Sequence, residues 1–106
     1  MTDLFNNQTT NGNSSWVEVG GSSLAPSHTG DYVVEMSGFA AGTVKLQYQD
    51  GAGAAVDIPD TSKTADTAFT ITLGLGSVIR ANAASVSGDA LYVTIRPTWT
   101  PILGHR

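Results

Sequence analysis

The chain has no cysteine, so a disulfide framework, a thiolate metal site and a cysteine nucleophile are all excluded. It is also poor in charge. Only 13% of its 106 residues are Asp, Glu, Lys or Arg, about half the usual ~25% of soluble domains. The five bases, Lys45, Lys63, Arg80, Arg96 and Arg106, are scattered along a chain of net charge -4. That pattern lacks the clustered basic footprint of a nucleic-acid binder. No apolar run approaches the ~18 to 20 residues of a membrane-spanning helix. The opening "MTDLFNNQTT" lacks the basic region and apolar stretch of a secretory leader, so the expected place of synthesis is the cytosol. Asn7-Gln8-Thr9 and Asn13-Ser14-Ser15 match the glycosylation pattern and are read as chance.

What the chain does have is 12 glycines, 13 threonines and 10 serines. A surface rich in neutral polar groups is cheap to cover, because few charges must be desolvated when another subunit docks on it. At this length one domain with one modest core is expected.

Period-two alternation dominates the middle of the sequence. In 43–49, Val44, Leu46 and Tyr48 alternate with Thr43, Lys45, Gln47 and Gln49, as a half-buried antiparallel strand requires. The same reading gives strands in "SWVEV", in "DYVVEM" with Tyr32, Val34 and Met36 on one face, and at Val56–Ile58 before Pro59 stops the ladder. "AFTITL", "SVIRANA" and "ALYVTIR" complete the set. No window shows a convincing helical period, and 81–87 is expected to be a loop or strand edge. The expected fold is all-β: an antiparallel β-sandwich of about seven strands, jelly-roll or immunoglobulin-like, with a small barrel as the second choice.

Three segments follow: a flexible N-terminal arm at 1–15, a sandwich at 16–96 and a C-terminal tail at 97–106. "LFNNQTTNGNSS" has no hydrophobic period, so it is expected to be extended, with Leu4 and Phe5 as its apolar anchors. The tail "PTWTPILGHR" is apolar without strand pattern. It is expected either to cap one end of the sandwich or to reach into a neighbour through Trp99, Ile102 and Leu103. A 12-residue extended arm spans roughly 40 Å.

No catalytic constellation emerges. His28 and His105 are the only histidines, one in a loop and one penultimate, and a Ser-His-Asp triad would have to recruit one of them. No Gly-x-Ser-x-Gly elbow occurs. Asp31, Asp50, Asp57, Asp60, Asp66 and Asp89 sit in or beside expected turns, where aspartate bonds its own backbone. Gly74-Leu75-Gly76 lacks the third glycine of a dinucleotide site. Asp50-Gly51-Ala52-Gly53 reads as a hairpin tip rather than a calcium loop, having one charged ligand where several are needed. Trp16, Trp99, Tyr48 and Tyr92 are expected as core or subunit-interface anchors, or else as a sugar-stacking platform. No catalytic, cofactor or metal residue is assigned.

Ser37-Gly38, Gly42-Thr43-Val44-Lys45-Leu46-Gln47, Asp50-Gly51 and Ile79-Arg80-Ala81 carry a resemblance to small β-sandwich virion proteins of tailed bacteriophages. It covers residues 16–96. It departs after the Asp-Gly turn, where related chains often place a tryptophan and this one has Ala54, Ala55 and Val56. The resemblance implies a non-enzymatic structural protein. The leading expectation is a capsid decoration (cement) protein bound to the major capsid protein, assembled in the host cytoplasm and found in the virion as a trimer or dimer. The alternative is a tail or fibre accessory module that binds carbohydrate.

Overall fold

In a computed structural model of the chain, residues 2–19, 30–74 and 76–97 are described. They form nine strands and, among the described residues, no helix: β1 (Thr2–Gln8), β2 (Gly12–Asn13), β3 (Val17–Glu18), β4 (Gly30–Ser37), β5 (Thr43–Gln49), β6 (Ala55–Asp57), β7 (Thr67–Leu73), β8 (Val78–Ala84) and β9 (Leu91–Pro97). One sheet has the order β1-β9-β4-β7; the other is β2-β8-β5-β6, with β3 also on β8. All pairs are antiparallel. No strand pair joins the two sheets among the described residues, so the sandwich stands and the barrel falls away.

The order of the strands identifies the topology. β5 pairs β6, β4 pairs β7, β2 and β3 share β8, and β1 pairs β9. The chain is thus one long hairpin, folded at the β5–β6 tip, whose two halves pair from end to end. Rolling that ribbon adds the β4–β9 and β5–β8 pairs, which is the jelly-roll arrangement.

The alternation seen in the sequence is the alternation of burial. Tyr32, Val34 and Met36 of β4 and Leu91, Val93 and Ile95 of β9 point into the sandwich, as do Val44 and Leu46 of β5 and Ile79, Ala81 and Ala83 of β8. β8 runs through Ala84, as the strand read in "SVIRANA" indicates, so the part of 81–87 up to Ala84 is central strand and the expected loop begins after it.

The N-terminal segment departs from expectation. Residues 2–8 are not an arm: they form an outer strand on β9, and Leu4 and Phe5 are 8% and 3% exposed within the core. Register shifts between Asp3 and Phe5 and between Asn6 and Gln8 interrupt the ladder. A bulge lets two successive side chains turn the same way, so the segment hides two adjacent apolar residues and shows no alternation. Leu4 and Phe5 are therefore core residues and not free partner anchors. The boundary at residue 15 falls inside the sandwich sheet, between β2 and β3. Of the C-terminal tail, Trp99, Ile102 and Leu103 lie outside the described residues.

Candidate functional site

Antiparallel pairing gathers the connections 9–11, 38–42, 58–66 and 85–90 at one end of the sandwich, and three side chains sew them together. Asn11 Oδ1 accepts from Val86 N at 2.8 Å and Asp66 Oδ1 from Phe39 N at 3.2 Å. Asp89 does most. Its Oδ2 accepts from Ala40 N at 2.6 Å and Gly42 N at 2.9 Å, and its Oδ1 from Ala41 N at 3.1 Å and Ser87 N at 2.9 Å. The carboxylate is buried and satisfied by four donors. The Ala40 N–H leads these in favouring the charged form, against the opposing effect of burial, and the pKa is lowered to about 2.

Two glycines make that cup possible. Gly38 has φ +84°, and a methyl group there would lie 1.8 Å from the Ala90 carbonyl oxygen; one on Gly42 would lie 2.8 Å from Asp89 Oδ2. Asp89 is thus not the purely local turn residue its sequence setting suggested. Its partners are the β4–β5 connection across the sandwich end. It is a fastening, not a reactive carboxylate.

At the other end the Asp50 tip closes on itself. Asp50 N donates to Ala54 O and Gly53 N to Asp50 O, while Asp50 Oδ1 accepts from Ala52 N and Ala54 N, both at 2.9 Å. Gly53 has φ +85°, the positive angle that a two-glycine turn supplies. The tip turns the chain. Asp50→Asn preserves the accepting oxygen and is expected to change stability by no more than about 0.5 kcal/mol. Asp50→Ala orphans two amides that water can reach, and is expected to cost about 1 kcal/mol. Urea denaturation of the two variants measures the difference, and a saturable rise of Tm with calcium would show a ligand site instead.

The outward face of the β8–β5–β6 sheet holds the richest set of side chains. Register places Gln47 between Arg80 and Asp57. Arg80 Nε donates to Gln47 Oε1 at 2.9 Å, Gln47 Nε2 donates to Asp57 Oδ1 at 2.9 Å, and Lys45 Nζ meets Asp57 Oδ2 at 3.0 Å. The Gln47 amide, then the Lys45 ammonium, hold the Asp57 carboxyl below its ordinary range. Trp16 stacks on Arg80, its ring centroid 4.4 Å from the guanidinium carbon, and Asn82 Nδ2 donates to Asn13 Oδ1 at 2.7 Å. Trp16, singled out by type alone in the sequence, acquires a partner only through the β3–β8 register. The face is polar and held in place, with two cations, Arg80 and Lys45, set around the one carboxylate of Asp57.

On the opposite sheet Tyr92 is 44% exposed and borders a shallow groove with Glu35, Ser37, Asp66 and Thr94. Tyr48, expected on the core face, is 39% exposed near the end of β5. His28 and His105 lie outside the described residues. Among the described residues no group of three or more His, Cys, Asp or Glu is placed to hold a metal ion. Comparison of the chain with protein-family models, with curated proteins and with solved structures finds no match.

Proposed function

We propose that this chain is a non-enzymatic structural protein of a tailed-phage virion, one that decorates the head by docking on the major capsid protein. One observation carries the reading. The motifs behind the sequence resemblance fall on positions that build this sandwich: Gly38 and Gly42 admit the Asp89 fastening, Asp50 closes the ribbon tip, and Arg80 pairs with Gln47 across β8 and β5. The positions that carry the likeness to small virion sandwiches are thus frame positions of this sandwich, and that is the support for the reading. A pre-ordered face with few charges to desolvate, on a low-charge body, supports a protein that works covered by a partner.

With Leu4 and Phe5 in the core, docking falls to the sandwich face around Trp16 and Arg80, together with Trp99, Ile102 and Leu103 of the C-terminal tail. Sedimentation of the intact chain with undecorated heads is expected to show saturable binding at a fixed ratio to the capsid subunits. Trp16→Ala is expected to weaken it at least about tenfold, as loss of an interface aromatic anchor does, with little change in Tm. Failure of the intact chain to bind heads would overturn the reading.

The second reading, a carbohydrate-binding module of a tail or fibre, draws on the Tyr92 groove, where an exposed ring stands among polar groups. It requires glycan binding that Tyr92→Ala abolishes.

A further inference from the structure

A sandwich has four strand edges, and an exposed edge offers unpaired amides and carbonyls to any other strand. Three edges here carry the usual protections. β1 is broken by two register shifts. β2 and β3 are two residues each. β6 has three residues, carries the Asp57–Lys45 ion pair and runs into Pro59. The fourth edge, β7, has none of these. It is seven residues long, "TAFTITL", without charge, proline or glycine, and it pairs β4 in seven consecutive steps with no irregularity. Among the described residues its other side has no strand.

We infer that β7 is a self-complementary edge on which two copies of this chain pair antiparallel about a two-fold axis through Thr70. The sequence of the strand fits that symmetry. With Thr70 opposite Thr70, Phe69 falls opposite the partner's Ile71, Ala68 opposite the partner's Thr72, and Thr67 opposite the partner's Leu73. Residues of one face thus meet residues of the same face. Phe69 and Ile71 are half-buried and packed against the core, so the pairing extends the core across the axis with apolar cross-strand contacts, while threonines meet outside. Charge agrees as well. No charged residue lies within the paired stretch: Asp66, at its end, falls opposite the partner's Gly74, and Lys63, beside the strand, lies over the Phe69 ring 4.8 Å from its centroid. Two four-stranded sheets then become one of eight, through an isologous contact. The inference stands on β7 alone and is independent of head binding.

Analytical ultracentrifugation of the full chain is the test. The wild type is expected to sediment as a dimer of 11.0 kDa chains. Thr70 is exposed, so Thr70→Lys is expected to leave the fold intact. It sets two ammonium groups face to face on the axis, raising the dimer dissociation constant roughly tenfold or more. Thr70→Glu is expected to do the same, and an equimolar mixture of the two variants to recover the dimer. If Thr70→Lys fails to fold, Thr70→Cys decides. In a chain without cysteine it should form a disulfide dimer on mild oxidation, much faster than Ser87→Cys on an exposed loop. A monomeric wild type, a dimer indifferent to Thr70→Lys, a mixture that stays monomeric, or Thr70→Cys no faster than Ser87→Cys would each overturn the inference.

Discussion

Deletion of residues 1–13 is expected to unfold the domain. The deletion removes β1 and β2, strips one side of β9 of its partner, and takes Leu4 and Phe5 out of the core. Burial of two such side chains contributes roughly 3 to 6 kcal/mol, against a total stability of about 5 to 15 kcal/mol for an ordinary domain. Neighbours of Phe5 would also face water, since the sheet cannot close over the gap. The single change Phe5→Ala isolates the packing part and is expected to cost about 3 to 5 kcal/mol by urea denaturation. Asn6→Ala, on the exposed side of the same strand, is expected to stay within about 0.5 kcal/mol. A truncated chain that melts like the intact one would show that the segment is an appendage after all.

Acid is expected to loosen the sandwich at the end that Asp89 fastens. The folded pKa of Asp89 is lowered to about 2 from an ordinary 3.8. The unfolded chain therefore takes up the proton first as pH falls. The stabilisation is complete above the unfolded pKa and is lost progressively between about pH 4 and pH 2. Asp57, lowered by Gln47 and Lys45, acts in the same direction. Asp89→Asn tests the share of Asp89 at neutral pH. An amide keeps one accepting oxygen and turns its NH2 group toward two of the four N–H donors, so two backbone amides are left facing a donor. Its Tm at pH 7 is expected to fall by roughly 10 °C, and its Tm from pH 4 to 2 to be flatter than that of the wild type. A wild-type slope retained in the variant would move the acid sensitivity to other carboxylates.

The parts of this fold legible in the sequence are those where one strand face meets core and the other meets water. Thr43–Gln49 is bounded as its alternation indicates, and Tyr32, Val34 and Met36 are buried as a set. β1 was illegible because its bulges place Leu4 and Phe5, neighbours in sequence, on the same side, and a period-two search discards such a pair. β2 has two residues, one a glycine, and exists only because Asn82 and Ala83 of β8 are there to pair with it. Asp89 was visible as a turn aspartate, but three of its four donors come from a loop more than forty residues away in sequence. Nothing local announces that. The contact of Trp16 with Arg80 has the same character: each residue type is plain in the sequence, and the pairing is set by register. The hairpin tip was readable because its glycines and Asp50 act within five residues of one another.

The chain is a single rolled ribbon in which residues 2–8 are an integral strand, leaving any partner to meet a rigid body. Native-state hydrogen exchange resolved by residue tests it most directly. Amides of 2–8 that bond to β9 should be protected alongside those of 91–95, opening with a free energy close to that of the central strands and far above that of a fraying end. Exchange across 2–8 at the rate of an unstructured peptide, with 91–95 still protected, would contradict the account and return the N-terminal segment to the role of a free arm.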